Sequence, residues 1–184
     1  MYNYMLPRII SSLGLVLLVL SVVVVSGCTS EDALDNVYKT ESDGLKHYEG
    51  EGISFNSLNN WTYYKLENNE SDYLFSIGRG SGEDMDLIHF HSGKYNGTLS
   101  EHINSLKKEI TLSNGVVISE KELTVDGLPA YQISALKPEN KPLSKTLLIK
   151  NGTIYTIHAV PGPGRNLSSI EKDLEIVISS FHVI

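Results

Sequence analysis

Two histidines, His89 and His91, stand two residues apart in a short apolar run that is typical of a β-strand. Because side chains alternate along a strand, both imidazoles should point to the same face of the sheet. Glu83, Asp84 and Asp86 precede them, and imidazole and carboxylate groups together can bind a metal ion such as zinc. The two histidines could supply two metal ligands, but the sequence does not identify a third. A pair of polar residues at a solvated sheet edge is the simpler interpretation, so no metal or cofactor is predicted.

Other catalytic patterns are weak in this sequence. There is no Gly-x-Ser-x-Gly motif, and the single cysteine, Cys28, lies outside the region that resembles a folded domain. The Gly-rich segment 78–82 is followed by carboxylates, which would repel a phosphate group. A dispersed Ser/His/Asp arrangement stays open. We therefore expect no enzyme and no catalytic residues, with a small hydrolase or metal-dependent enzyme at the cell surface, using His89 or His91, as the alternative.

Aromatic residues concentrate in two predicted strands, and they are typical of both binding patches and cores. Trp61 and Tyr63 lie in the first of these strands, and Tyr73 and Phe75 lie in the second. Alternation requires half of them to face the core. For these aromatic residues a core position is the preferred interpretation, and Trp61 and Tyr63, together with His89 and His91, are the candidate binding residues if they are exposed.

The N-terminus contains an uncharged run of 18 residues, from Ile9 to Ser26, directly after Arg8. A basic start, an apolar centre and small residues at the end are typical of a signal peptide. As a helix, the same run would extend about 27 Å, which is close to the hydrocarbon thickness of a bilayer. Residues 1–27 are therefore predicted to be a signal segment, with an uncleaved transmembrane anchor as the alternative.

Cys28 closes this run in the pattern Val25-Ser26-Gly27-Cys28, which resembles the lipidation box of prokaryotic lipoproteins. A lone cysteine cannot form an intramolecular disulfide, and a free thiol is unusual in an exported protein. Lipidation of Cys28 would explain why it is present. We expect a lipid-anchored protein at the cell membrane with its domain on the extracytoplasmic side.

The chain after the anchor is acidic. From residue 29 onward it carries 14 basic and 22 acidic side chains, a net charge of −8. This balance disfavours nucleic acid as a partner, because phosphates require lysine and arginine. Residues 28–49 are polar and aperiodic, and they are predicted to form a flexible acidic tether.

Five Asn-x-Ser/Thr sequons are candidate glycosylation sites in an exported chain. Chance occurrence in a chain rich in Asn, Ser and Thr is the alternative. The sequons lie at Asn60, Asn69, Asn96, Asn151 and Asn166.

Short β-rich runs and two helices follow the tether. Thr98 to Glu101 forms a capping box that starts a helix with Leu99, Ile103, Leu106 and Ile110 on one face. Asp126-Gly127 and Asn151-Gly152 are typical of two-residue hairpin turns. Ser168 to Glu171 could cap a second helix. Strands joined by short turns predict an α+β fold, with a mostly antiparallel sheet sandwiched by amphipathic helices over residues 50–184.

Three segments of this domain resemble the PsbP-like family, named for an extrinsic subunit of photosystem II. They are Gly52-Ile53-Ser54-Phe55 ahead of Trp61, Val125 to Tyr131 with the family's Asp-Gly-x-Pro-Ala-Tyr pattern, and Ile178-Ser179-Ser180-Phe181. The resemblance implies a PsbP-like α/β/α sandwich and a binding or accessory role, and it brings no shared active site. We therefore expect a membrane-tethered binding module with a protein partner in the cell envelope.

Overall fold

The computed structural model describes residues 38–40, 44–65 and 72–184. The predicted signal segment, Cys28, the first part of the tether and Asn69 lie outside these residues. Among the described helices, none is both long and apolar enough to cross a membrane.

Strands make up most of the described residues. The strands are β1 (Tyr38–Thr40), β2 (Leu45–Gly50), β3 (Ile53–Leu58), β4 (Thr62–Tyr64), β5 (Tyr73–Arg79), β6 (Asp86–Lys94), β7 (Val116–Val125), β8 (Leu128–Lys137), β9 (Lys141–Lys150), β10 (Thr153–Val160) and β11 (His182–Val183). The helices are α1 (Leu99–Leu112) and α2 (Glu171–Ser179), with 3-10 turns at Gly82–Asp84, Pro138–Asn140 and Leu167–Ser169.

The strands form two antiparallel sheets. The larger has seven strands in the order β4-β5-β6-β10-β9-β8-β7, and the smaller has four in the order β1-β2-β3-β11. Every strand pair described is antiparallel. The predicted α+β class is confirmed, and the division of the strands into two sheets is new.

The seven-stranded sheet is covered on both faces. On one face, Leu106 and Ile110 of α1 pack on Ile133, Leu143 and Leu147 of the sheet. On the other face, side chains of the small sheet and of α2 share a larger core with the sheet. Its buried members include Tyr48, Phe55, Phe75, Phe90, Leu174 and Val177. The large sheet is thus the central layer, with α1 on one side and α2 and the small sheet on the other.

The capping box of α1 is confirmed. The Thr98 hydroxyl accepts a hydrogen bond from the Glu101 backbone nitrogen at 3.2 Å, and the Glu101 carboxylate accepts one from the Thr98 backbone nitrogen at 2.7 Å. Both bonds satisfy donors that a helix start leaves without partners.

The predicted cap of α2 is wrong. This helix begins after Ile170, which makes no side-chain capping bond. The hydroxyls of Ser168 and Ser169 instead bond to Asn166, within the 3-10 turn that precedes the helix. Ser168 and Ser169 therefore form hydrogen bonds within the 3-10 turn and do not cap the helix.

Two hairpin turns follow their predicted chemistry. At Asp126-Gly127 the φ angles are 53° and 71°, and at Asn151-Gly152 they are 53° and 72°. Both central residues of a type I′ turn require positive φ, which Asn, Asp and Gly tolerate best. These turns set the β7–β8 and β9–β10 registers.

The folded part starts earlier than predicted. Residues 45–49, assigned to the tether by their polarity, belong to β2 (Leu45–Gly50), which pairs with β3 from Leu45↔Leu58 to Gly50↔Ile53. Tyr48 in β2 is only 1% exposed, and its ring lies 4.3 Å from that of Phe75. The burial of Tyr48 and the pairing with β3 keep this segment folded despite its polar composition.

Candidate functional site

Helix α1 covers only one half of its face of the seven-stranded sheet. Its contacts are with β7, β8 and β9, and no described helix packs over β10, β6 and β5 on this face. The flank of α1 and the open half of the sheet form a cleft with a cavity volume of about 330 Å³. Cavities of this size are at the lower end for sites that bind small molecules.

Three histidines share the open half of the sheet. His89 and His91 lie on β6, as the spacing predicted, and His158 lies directly opposite His89 on β10. The ring centroids are 5.5 Å apart for His89 and His158, 6.3 Å for His89 and His91, and 6.5 Å for His91 and His158. His158 was not predicted, since the pairing of β10 with β6 joins segments far apart in sequence.

His89 is fixed by a chain of hydrogen bonds. Its Nδ1 lies 2.6 Å from the Ser76 hydroxyl, which in turn lies 2.7 Å from the Tyr73 hydroxyl. Burial, with the nearby His91, lowers the pKa of His89 to about 4, so the imidazole is neutral at neutral pH. Ser76 is 1% exposed. The hydrogen bonds of Ser76 hold the His89 ring in a fixed orientation.

His158 is more deeply enclosed. Burial first, and the charge of Lys145 second, lower its pKa to about 2. Its Nε2 atom is buried and has no hydrogen-bond partner among the described residues. Leaving a buried polar atom without a partner costs about 1–3 kcal/mol. Because this atom is inaccessible to solvent, His158 contributes the rest of its ring to the wall of the cleft.

The other cleft residues come from separate elements. Lys145 lies on β9, Thr156 on β10 and Asp72 just before β5, while His102, Ser105 and Glu109 lie along one flank of α1. Burial lowers the pKa of both Lys145 and His102. Sequence reasoning missed Lys145, Glu109 and Asp72. Two features of the sequence pointed to the cleft: Lys145 lies on the same face of β9 as the buried Leu143 and Leu147, and His102, Ser105 and Glu109 are spaced three and four residues apart on α1.

The carboxylates that could have joined the histidines are elsewhere. Asp86 is fully buried and turns to the opposite face of β6, where it binds Arg79 and Arg165 at 2.8 Å each. Glu83 and Asp84 are exposed in a 3-10 turn. Within the described residues no group of three or more His, Cys, Asp or Glu side chains is placed to hold a metal ion.

Trp61 and Tyr63 belong to the core side of the molecule. Trp61 is 1% exposed, and its indole nitrogen donates to Asp173 at 3.0 Å while the Arg79 guanidinium lies 5.2 Å from its ring. Trp61 therefore occupies a core position, which was the preferred interpretation of these aromatic residues. Tyr63 is half-buried and lies 5.2 Å from the Phe75 ring.

Four of the five sequon asparagines are described, and all four are exposed: Asn60, Asn96, Asn151 and Asn166. Exposure is a condition for glycosylation. Glycosylation itself stays a prediction.

A second concavity of about 1250 Å³ lies on the other face of the sheet, between α2 and strands β7 to β9. Its charged side chains, such as Glu171, Lys172 and Glu175, are exposed on α2. Glu109 and Asp72 of the cleft beside α1 are exposed as well, but that cleft also holds two half-buried titratable side chains, Lys145 and His158. The cleft beside α1 is therefore the stronger candidate site.

The fold has solved relatives. The solution structure of cyanobacterial PsbP (CyanoP) from Synechocystis sp. PCC 6803 is similar with a TM-score of 0.58 and 16% identity, over 79% of this chain and 98% of that chain. At this identity the similarity shows the fold alone.

Two further structures give lower scores. The protein of unknown function PA94 from Pseudomonas aeruginosa has a TM-score of 0.46 at 8% identity, over 71% of this chain and 91% of that chain. A protein from Bacteroides thetaiotaomicron has a TM-score of 0.41 at 13% identity, over 72% of this chain and 45% of that chain. Neither score is high enough to indicate a common fold.

The comparison with curated proteins found no match. The PsbP-like protein family, however, matches residues 13–183, which is most of the chain. The three quoted segments, the antiparallel fold and the similarity to CyanoP agree with this match. The chain belongs to the PsbP-like protein family.

Proposed function

We propose that this protein is a non-catalytic binding or accessory module, tethered to the outer side of a membrane by lipid on Cys28 or by its N-terminal segment. The observation that carries the binding role is the cleft beside α1. It gathers Lys145, Glu109, Asp72 and His158 on one concave surface, and no described ion pair or hydrogen bond uses their side chains. Charged groups placed in a cleft without structural partners are available to a ligand.

The features around the cleft support binding more than turnover. The Ser76 hydroxyl that lies beside His89 is buried, and the chain's single cysteine lies in the N-terminal segment. Membership of the PsbP-like family supports an accessory role. The acidic net charge and the lipidation pattern at Cys28 support a place in the cell envelope, with an envelope protein as partner.

The tether is tested with the full chain in its native host. Replacement of Cys28 by Ser is expected to abolish lipid labelling and to move the protein from the membrane to the soluble envelope fraction. Persistence of Cys28→Ser in the membrane would assign anchoring to the N-terminal segment itself. Recovery of the wild-type protein in the cytoplasm would overturn the proposal.

The binding role is tested by photo-crosslinking on intact cells. A photoreactive residue replaces Ser105 on the cleft flank of α1, and a matched control replaces Glu122 on β7; both side chains are exposed. One dominant linked protein from position 105 and none from position 122 supports an accessory module. Equal labelling from both positions would contradict it. Turnover of a substrate that is lost in Lys145→Met would support the enzyme alternative instead.

A further inference from the structure

Lys145 lies in the cleft without a counter-ion in contact. It comes from β9, on the face that α1 only partly covers. None of the described carboxylates lies within 4.0 Å of its ammonium, and no described group hydrogen-bonds to it. Burial lowers its pKa, although the charge of Glu109 opposes this. A half-buried ammonium without a partner is unfavourable unless a ligand supplies one.

Opposite charge stands across the same cleft. Glu109 projects from α1 and Asp72 precedes β5, and both line the cavity with Lys145. Neither carboxylate makes an ion pair within the described residues. Glu109 is near enough for its charge to raise the pKa of Lys145, yet the two do not touch. Both carboxylates are exposed while Lys145 is half-buried, so the cleft carries one positive group and two solvent-accessible negative groups.

Neutral hydrogen-bonding groups lie between these charges. Ser105 and Thr156 line the cavity with hydroxyls. Burial lowers the pKa of His158 to about 2, so this imidazole adds a dipole and no charge, and burial also lowers the pKa of His102. Leu106, Leu147 and Ile154 complete the lining with apolar surface.

We propose that this cleft binds a small zwitterion of the α-amino acid class with an aliphatic side chain. The carboxylate of the ligand accepts hydrogen bonds from the Lys145 ammonium, and its ammonium donates to Glu109 and Asp72. The inference rests on the proposed binding function and names its ligand.

A ligand with only one charge would be repelled by a group of like charge in the cleft. An inorganic anion would meet the carboxylates of Glu109 and Asp72 at close range. A simple amine or a metal cation would meet the ammonium of Lys145. In a cavity of about 330 Å³, like charges cannot be placed far apart. A molecule with both charges a few bonds apart satisfies both sides.

The test is isothermal titration of the full chain in detergent with L-leucine and L-valine. One-to-one binding of either amino acid is expected. L-leucinamide, which lacks the carboxylate, and N-acetyl-L-leucine, which lacks the ammonium, should each bind at least about tenfold more weakly, since a charged hydrogen bond contributes roughly 1.5–3 kcal/mol. Inorganic phosphate and Zn²⁺ are titrated as alternative ligands.

Three variants complete the test. Lys145→Met and Glu109→Gln should each weaken L-leucine binding at least about tenfold. Lys108→Met, on the exposed face of the same helix, should stay within about twofold of wild type. Unchanged circular dichroism spectra confirm that the variants are folded.

Several outcomes overturn the inference. They are no binding of either amino acid at millimolar concentration, equal binding of the amide or acetylated form, and tight binding of phosphate or Zn²⁺ alone. A Cys28-dependent membrane location and a dominant crosslinked partner would still stand in each of these cases. Failure of the amino-acid proposal is therefore distinct from failure of the proposed function.

Discussion

The carboxylate of Asp86 is fully buried and holds three separate segments together. It accepts hydrogen bonds from Arg79 at 2.8 Å, from Arg165 at 2.8 Å and from the Gly162 backbone nitrogen at 2.9 Å. Burial alone would raise the pKa of Asp86, but the Gly162 nitrogen and the Arg79 guanidinium outweigh it and hold the pKa below its ordinary value. Arg79 also pairs with Asp173 of α2. This network joins β5, β6, the loop after β10 and α2.

Replacing Asp86 with Asn should lower the free energy of unfolding by about 3 kcal/mol. This is the low end of the cost of breaking a buried pair, because Arg79 and Arg165 keep partial access to water. Urea unfolding at pH 7 measures the change. Glu122→Gln, on an exposed strand position, is the control and should stay within about 0.5 kcal/mol of wild type. Equal stability of the two variants would contradict a structural role for the network.

The histidines beside the cleft should make the protein less stable as the pH falls below 6.5. The pKa of His158 is about 2 and that of His89 is about 4 in the folded state, against 6.5 in the unfolded chain. The unfolded state therefore binds more protons over this range, which lowers the free energy of unfolding by up to about 1.4 kcal/mol per pH unit and histidine.

His158→Gln tests this pH dependence. The free energy of unfolding of this variant should fall less steeply than that of wild type between pH 6 and pH 4. The reason is that the variant lacks one histidine that takes up a proton when the chain unfolds. Lys108→Met should leave the wild-type slope unchanged. Urea unfolding at several pH values gives both slopes, and parallel curves for wild type and His158→Gln would show that His158 is not held neutral by the fold.

At the scale of elements, local chemistry accounts for α1. Thr98 and Glu101 satisfy donors at its start. Thr98→Ala should lower the free energy of unfolding by about 1 kcal/mol, the usual cost of losing an N-cap. Thr111→Ala, at an exposed position of the same helix, should change it by less than about 0.5 kcal/mol. Thermal and urea unfolding measure both changes. A smaller effect of Thr98→Ala than of Thr111→Ala would contradict the capping role.

The elements that could be predicted are those whose signals are local. The capping box of α1 and the Asn151-Gly152 turn depend on residues within a few positions of one another. The start of α2 was mispredicted because a 3-10 turn and a cap use the same serines. Strand β2 was missed because its anchor, Tyr48, acts through contacts with distant rings.

The Asp126-Gly127 turn shows why part of the family pattern is structural. Asp126 accepts hydrogen bonds from His182 at 2.8 Å, from Lys150 at 2.9 Å and from the Val183 backbone nitrogen at 3.1 Å. The side-chain bonds from His182 and Lys150 lower the pKa of Asp126 to about 2. The turn thereby fastens the last strand of the chain. The sequence pattern marked the turn, and the partners of its carboxylate came only from the fold.

At the scale of the whole molecule, the cleft could not be derived from the sequence. Its lining comes from α1, β6, β9, β10 and the residue before β5, and these segments meet only through the order of strands in the seven-stranded sheet. The same-face placement of His89 and His91 was predictable from alternation. That His158 and Lys145 lie near them could be seen only from the pairing of β6 with β10 and of β9 with β10. Sequence spacing thus identified one histidine of the cleft lining, His91, and its neighbour His89, but none of the three charged residues Lys145, Glu109 and Asp72.

The extent of the folded unit decides what a stable soluble domain must include. Residues 38–50 contain β1 and β2, and β2 supplies the buried ring of Tyr48, which lies 5.1 Å from Phe55 and 4.3 Å from Phe75. Removing β2 would also take one of the two backbone partners of β3, whose Ile53 and Phe55 are fully buried, and would leave β3 paired only with the two-residue strand β11. Loss of one large buried aromatic side chain alone costs about 3–5 kcal/mol, a large part of the roughly 5–15 kcal/mol that stabilises a typical domain.

A chain that starts at residue 51 should therefore be largely unfolded, and a chain that starts at residue 38 should fold cooperatively. A third chain that starts at residue 44 removes β1 but keeps β2 and serves as the control; it should remain folded. Circular dichroism melts and the near-ultraviolet signal of the buried Trp61 distinguish the three. Equal melting temperatures for the chains starting at 38 and at 51 would mean that β2 is dispensable and that the domain begins where its composition changes.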